Sequence, residues 1–362
     1  MHAFIATVPF TILEAVNYVI GYDLKEADLY LVKVFKNAEE VGQRIRATHI
    51  FKNVYVVEDV LLTYPITVKK CVNVVKNSRS ILKLMKRHRY ECIYYNNSGW
   101  LINSIFYTGA LKGNKQVKNI FLEHGYYSYT NDYADKSWKL RLLIRMVGLK
   151  CMDGSMIDEF YAFHPELIDV RYDGELKKMP NIDKNNSRLV NAVNEIFGYD
   201  REQDEFLSKD IIVLEQGPQK FEFDKDAFWK KVFQVIDRDR TIIKPHPRQK
   251  ESTLYDMGAS ICKNHTTPWE VEIMNIDADS KYQITIFSSS CVSPKLLFDE
   301  EPTVILLFKL LPVDMSVWDQ KLLDFSEKLG NQYRTKERYF VPETFEEFEQ
   351  YCMNHGITKL EK

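Results

Sequence analysis

Short apolar, β-branched runs alternate along this chain with polar segments of helical length, and that alternation restricts the possible folds more than any other feature. Asp28 to Phe35 (DLYLVKVF) and Asn53 to Val60 (NVYVVEDV) read as strands, with a helix-compatible segment from Asn37 to Ala47 between them. Ahead of them, Ala3 to Val8 is extended, Pro9 makes the turn, and Ile12, Leu13, Val16 and Ile20 follow at helical spacing. A long helix is predicted over Lys69 to Arg89, with Val72, Val75, Leu82 and Met85 as its apolar stripe, and a strand follows at Tyr90 to Tyr95. Strands and helices at this spacing form βαβ units, so the fold class is α/β with parallel sheets and right-handed crossovers.

The same rhythm restarts in the second half. Asp210 to Leu214 (DIIVL) is a strand ending in the turn Glu215-Gln-Gly-Pro218. A helix over Asp224 to Ile236 leads to the next strand at Thr241 to Lys244. That strand closes in Lys244-Pro-His-Pro-Arg248. Each proline fixes its own φ and keeps the residue before it extended, so Lys244 and His246 leave the strand on stiff backbone. This is a place to hold a phosphate, although His-Pro pairs also occur in ordinary loops. A further strand, Tyr282 to Phe287 (YQITIF), runs into Ser288-Ser-Ser290, Ser293 and Pro294, where a helix begins. Serine hydroxyls and free N–H groups at a helix start can bind an anion, but a plain N-cap needs only one serine. The ends at Glu215 to Pro218, Lys244 to Pro247 and Ser288 to Ser290 should converge on one edge of a parallel sheet, where open α/β sheets bind ligands. Thr303 to Phe308 is another strand, and Thr344 caps a closing helix carrying Phe345 and Phe348.

In the first half, Asn119 to Leu122 is a buried strand, and Glu123, His124 and Gly125 fall at its carboxyl end. Glu123 is there either a general base or a loop carboxylate capping the next helix; Gly125 permits a tight turn. A second His-Pro, His164-Pro165, closes another short strand and reads as structural.

With 362 residues the chain fits two domains of ordinary size. The expected division is 1–170 for the first, a polar linker over 171–209 with a flanking helix near Leu189 to Phe197, 210–335 for the second, and a closing helix within 336–362. A net charge of −2 names no partner, and no nucleic acid is expected. Six cysteines stand singly, without ligand spacing, so neither a zinc site nor a disulfide framework is expected and a reducing cytoplasm is the simplest setting. The first twenty residues read as neither a signal peptide nor a membrane span. Two segments free of Asp and Glu, Lys69 to Arg89 with eight Lys or Arg and Lys136 to Lys150 with five, mix cations with apolar residues. They are solvated helix faces or points of attraction to an anionic membrane.

An acidic residue and glycine after a first-half strand, a later K-P-H-P, a P-x-E about twenty residues on at Pro268-Trp-Glu270, and a serine cluster after the next strand resemble, in order and spacing, the bacterial sialyltransferases of the GT-B fold. Thr7-Val-Pro9 and Phe160-Tyr-Ala-Phe-His-Pro165 extend the likeness over nearly the whole chain. It resembles glycosyltransferase family 52, the lipooligosaccharide sialyltransferases, most closely, and the bacterial polysialyltransferases more distantly.

The resemblance implies two Rossmann-like domains facing across a cleft and an inverting transfer of sialic acid from CMP-sialic acid to a galactose-type hydroxyl of a surface glycan. CMP-sialic acid is a substrate, and neither cofactor nor metal is implied. Glu123 matches the first acidic position of the family's D/E-D/E-G motif, its general base. His246 matches the histidine that assists departure of the CMP phosphate. Ser288 and Ser289 match the serines that bind that phosphate, with Lys244 and Ser290 beside them. Glu270 matches a glutamate on the ribose hydroxyls, and Gly217 sits where backbone approaches the cytosine. His124 stands where the family has its second acidic residue, placing it with Tyr127 on the acceptor side. Transfer of another CMP-ulosonic acid of the Kdo type, pyruvyl transfer, and a non-catalytic nucleotide- or glycan-binding role in polysaccharide assembly are the alternatives.

Overall fold

The computed structural model describes residues 1–60, 67–96, 100–130, 138–152, 154–169, 174–217, 221–246, 249, 251–263 and 267–359. Pro218, Pro247 and Arg248 of the expected strand-end turns lie outside the described residues, as does Lys136 of the second basic segment. The chain divides into two compact units, Met1–Phe197 and Gly198–Lys362.

The first unit runs β1 (His2–Ala6), α1 (Pro9–Gly21), β2 (Ala27–Val32), α2 (Ala38–Ala47), β3 (Asn53–Val57), α3 (Val68–Met85), β4 (Cys92–Tyr95) and α4 (Trp100–Gly113). It continues through β5 (Lys118–Leu122), α5 (Tyr127–Thr130), α6 (Trp138–Met146), β6 (Glu159–Ala162), β7 (Glu175–Lys178) and α7 (Ser187–Phe197). The sheet order is β3-β2-β1-β4-β5-β6-β7, and every neighbouring pair is parallel. Counted along the chain this is 3-2-1-4-5-6-7, the Rossmann order with one added edge strand. All six residues of β2 are buried, as expected of a strand covered by helices on both faces. On one face, Ile5, Tyr30, Tyr95, Phe121 and Phe160 of the strands pack against Ile81 and Met85 of α3, Phe106 of α4 and Ile144 of α6.

Two expectations are corrected here. Within the expected linker, residues 175–197 belong to the first unit: β7 pairs with β6, and Leu189, Ala192, Val193 and Ile196 bury one face of α7, which packs on α1 and α2. In α3 the core-facing residues are Val74, Ser78, Ile81 and Met85, whereas Val72 and Val75 face solvent. The first two residues of the expected stripe are therefore in the wrong phase.

The second unit contains β8 (Ile211–Leu214), α8 (Lys225–Val235), β9 (Thr241–Lys244), β10 (Ser260–Ile261), α9 (Trp269–Asn275) and β11 (Tyr282–Thr285). A 3₁₀ turn (Ser289–Val292) and a π turn (Pro294–Phe298) precede β12 (Thr303–Leu306), α10 (Gln320–Gly330), β13 (Tyr339–Phe340) and α11 (Phe345–Asn354). Its sheet, β10-β9-β8-β11-β12-β13, is again parallel and again 3-2-1-4-5-6. The unit thus begins at Gly198 rather than at 210, and the expected closing segment contributes a strand, β13, as well as a helix. Thr344 caps that helix as its sequence implies, its hydroxyl accepting from the Glu347 N–H at 3.2 Å.

Candidate active site

Parallel strands of Rossmann order put their carboxyl ends on one edge, and the order reverses between β1 and β4 in the first unit and between β8 and β11 in the second. Glu123, His124, Gly217, Lys244, His246 and the serines from Ser288 fall at these edges, whereas Tyr127 and Glu270 lie on α5 and α9.

In the first unit the β5 ladder continues one residue beyond the strand, the Glu123 N–H donating to the Tyr161 carbonyl at 3.0 Å. The Glu123 side chain is fully buried. Its Oε2 accepts from the Phe163 N–H at 2.7 Å and from the Tyr129 hydroxyl, whereas Oε1 is buried with no hydrogen-bond partner among the described residues. Burial pushes the carboxyl up to about 8, against the opposing effect of those two donors. A carboxyl so placed has one oxygen anchored and the other buried; it holds a proton below about pH 8 and becomes a base above it. Gly125, at φ +60°, turns the chain sharply into α5, which delivers Tyr129 back to the carboxylate. The Tyr129 hydroxyl also accepts from the His164 N–H at 3.3 Å. His164 is held by Glu166, with 2.9 Å between Nδ1 and Oε1, in keeping with its structural reading.

His124 does not replace the second acidic position with a cation. Burial lowers its pKa, its backbone N–H donates to the Ser128 hydroxyl, and its ring meets Phe10 edge-on at 6.3 Å. Tyr127 is exposed at the same corner. One strand along, at the reversal point, Glu14 of α1 is fully buried and accepts from Asn96 Nδ2 at the end of β4 at 2.5 Å. Sequence reasoning found neither Tyr129 nor Glu14. Glu14 lies on the buried side of an apolar helix, where a carboxylate needs a reason to be.

In the second unit the expected convergence of strand ends is present. Gln216, just beyond β8, straddles the reversal point: its Nε2 donates to the Phe287 carbonyl at 2.6 Å and its Oε1 accepts from the Phe287 N–H at 3.2 Å. Gly217 lies against the His246 ring. A Cβ at Gly217 would stand 3.1 Å from both Cε1 and Nε2 and 3.3 Å from Nδ1, so any side chain there would press the imidazole aside by a few tenths of an ångström. Gln249 braces the same turn, donating to the His246 carbonyl at 2.8 Å and accepting from the His246 N–H at 3.3 Å. Glu215 is committed to structure, accepting from Ser252 Oγ at 2.9 Å and from the Thr253 N–H at 2.9 Å.

The serines divide by environment. Ser288 is buried and caps the 3₁₀ turn, its hydroxyl accepting from the Ser290 N–H at 3.3 Å, whereas Ser289 is exposed and Ser290 half-buried. Trp269 at the start of α9 donates from Nε1 to the Ser290 carbonyl at 2.8 Å, which ties α9 to the serine turn. Beside it Glu270 is half-buried. Burial raises its pKa, while the Lys244 ammonium and the Ser293 hydroxyl oppose the rise. Lys244 itself is buried, its Nζ 5.6 Å from the Trp269 ring centre and 5.8 Å from that of Phe206. Its charge is thus shared between two aromatic faces and the carboxylates of α9.

Among the described residues no group of three or more His, Cys, Asp or Glu is placed to hold a metal ion, and no helix is long and apolar enough to cross a membrane. A chain of two α/β units, each in the Rossmann order and each gathering polar groups at the carboxyl ends of its strands, is the class of protein that the GT-B expectation describes. Residues 4–306 match the alpha-2,8-polysialyltransferase (POLYST) family; the chain belongs to that family and is a glycosyltransferase of the sialyltransferase type. Of the two resemblances read from the sequence, the more distant is the one this match shows.

Two solved structures are similar over 98% of this chain. One is the calicheamicin glycosyltransferase, at 10% identity, with 89% of that chain covered and a TM-score of 0.43. The other is the glycosyltransferase of kitacinnamycin, at 8% identity, with 95% covered and a TM-score of 0.42. Comparison with curated protein sequences gives no match.

Proposed function

We propose that this protein transfers sialic acid from CMP-sialic acid to a hydroxyl of a glycan, with inversion and without a metal, in building a capsule or lipooligosaccharide on the cytoplasmic side of the membrane. The observation that carries the reading is Glu123, whose anchored Oε2 and unpartnered Oε1 make a one-sided base with its pKa at about 8. In the proposed step the acceptor oxygen attacks the anomeric carbon and its proton passes to Glu123 Oε1. The bond from that carbon to the phosphate oxygen breaks, and its electron pair leaves with CMP. His246, on the glycine floor of Gly217, and the hydroxyls of Ser288, Ser289 and Ser290 answer the charge arriving on the phosphate. Glu270 takes the ribose hydroxyls. Lys244 supports this set through Trp269 and Glu270.

The family's α-2,8 designation favours a hydroxyl of a terminal sialic acid as acceptor, and the galactose-type hydroxyl implied by the family 52 resemblance is the competing one. His124 and Tyr127 belong to the acceptor side, and the acceptor is lipid-linked.

The test supplies CMP-sialic acid with sialyl- or galactosyl-terminated oligosaccharides in the presence of EDTA. Transfer by the wild type, with Glu123→Gln and His246→Ala each reduced about 10² to 10⁴-fold, supports the reading. Near wild-type transfer by both variants overturns the site. Tight CMP binding without turnover would instead mark a non-catalytic partner, and turnover only with a Kdo-type donor or with phosphoenolpyruvate would replace the sialic acid.

A further inference from the structure

We infer that α3 and α6 form a single docking surface that seats the first unit on an anionic lipid bilayer. This supplies the residues for the membrane side of the reading above, but it rests on surface geometry rather than on the transfer chemistry.

The valines that the sequence assigns to a core stripe are on the surface. Val68, Val72 and Val75 are 82%, 60% and 46% exposed, and with Arg79 they follow the i, i+4, i+7, i+11 spacing of one helix face. The core face of α3 is a separate stripe, Val74, Ser78, Ile81 and Met85. The helix therefore has two apolar faces and only one of them is covered by its own fold. Lys76 and Arg79 border the outer stripe and, with Cys71, Val72, Val75 and Ser80, line a shallow groove along it. Among the described residues none of Lys76, Arg79 and Lys83 pairs with a carboxylate, and the run 68–89 contains no Asp or Glu.

The second helix repeats the arrangement. In α6, Ile144 is in the core, whereas Leu142 (50%) and Met146 (75%), one turn apart, are exposed, as is Val147 just beyond. Arg145 and Lys150 stand among them, and 138–150 again lacks any acid.

The two helices share one side of the unit. Ile81 and Met85 of α3 and Ile144 of α6 belong to the same apolar layer on the same face of the sheet, and α3 packs directly on α4 within it. Cations alone would suit any polyanion. Apolar side chains between them gain nothing from a sugar acid polymer but gain from acyl chains, and cationic helices with exposed Val, Leu and Met are what the boundary between headgroups and chains binds. Anionic lipid headgroups add about fivefold in partition for each Lys or Arg near them.

The experiment sediments the full chain with vesicles of phosphatidylcholine, with and without phosphatidylglycerol, at low and high salt. Wild type should bind the anionic vesicles at least about tenfold more tightly than the neutral ones, and salt should weaken the binding. Val72→Ser with Val75→Ser, surface changes that leave the core stripe intact, should reduce binding about tenfold, and Met146→Ser should act in the same direction. Both variants should keep wild-type transfer to a soluble acceptor. Failure of the transferase reading would leave vesicle binding unchanged, so the two ideas fail separately. Equal binding to neutral and anionic vesicles, or serine variants that bind like wild type, would overturn the surface. So would preferential capture of a soluble polysialic acid that survives the serine changes and is lost on Arg79→Gln, since that would make the face a polyanion groove.

Discussion

Replacing Glu123 by Gln should make the protein more stable at alkaline pH, by an amount that follows from the burial of this one carboxyl. In the unfolded chain the group ionises near its ordinary 4.5, and in the folded protein near 8. A folded pKa above the unfolded one means that the native state favours the protonated form. Stability is then fully present below about pH 4.5, is lost as pH rises toward 8, and is flat above that. At about 1.36 kcal/mol for each pH unit of difference, the cost is about 1 kcal/mol at pH 5, about 3 kcal/mol at pH 7 and about 5 kcal/mol at pH 9. The carboxyl is fully buried, so solvent screening does not reduce these figures. Glutamine keeps an acceptor for the Phe163 N–H and the Tyr129 hydroxyl and does not ionise. Urea unfolding of both proteins from pH 5 to pH 9 isolates the effect, because every other titration is common to the pair. The stability difference should move by about 4 kcal/mol in favour of Gln across that range, with most of the change complete by pH 8. A difference that stays constant within about 0.5 kcal/mol would refute the reasoning, because it would mean that Glu123 ionises in the folded protein as it does in water.

Two further outcomes follow from the same geometry. Tyr129→Phe removes a hydroxyl that stabilises the Glu123 anion, so the acid limb of kcat/KM should move up by about one to two pH units while KM for the donor stays near wild type; a limb that does not move would show that Tyr129 only fills space. Gly217→Ala places a methyl 3.1 Å from the His246 ring, so transfer should fall about tenfold or more with stability within about 1 kcal/mol of wild type; unchanged kcat would mean that the imidazole position is immaterial.

How far the sequence carried these conclusions depended on whether the relevant contacts are local. The strand Thr241–Lys244 was legible to the residue, because a β-branched run stopped by Lys-Pro-His-Pro has no helical alternative. The meeting of the β8, β9 and β11 ends was legible too, since parallel strands must end on one edge. The unit boundary was not. β7 is the four-residue run ELKK on the sheet edge, and three of its residues are exposed, so it carries the cations that protect an edge and a single apolar residue, Leu176, that is itself exposed. The phase of α3 was hidden because its buried stripe contains Ser78 and its outer stripe contains three valines, which inverts the usual contrast between core and surface.

The candidate site divides along the same line. That Glu123 sits at a strand end is a local fact, but which of its oxygens is free is decided by Tyr129, six residues on, and by the Phe163 N–H, forty residues on. Lys244 makes the point most sharply. A lysine leaving a strand beside His246 reads as a phosphate ligand, yet Phe206, from well before its strand, and Trp269, from well after it, enclose the ammonium and direct its charge to α9. If the ammonium stays there, the phosphate must be met by a different donor. The imidazole of His246 is the group at that edge which stiff backbone, the bare face of Gly217 and the Gln249 brace jointly hold, so the leaving-group role in the proposed transfer falls to it rather than to the lysine.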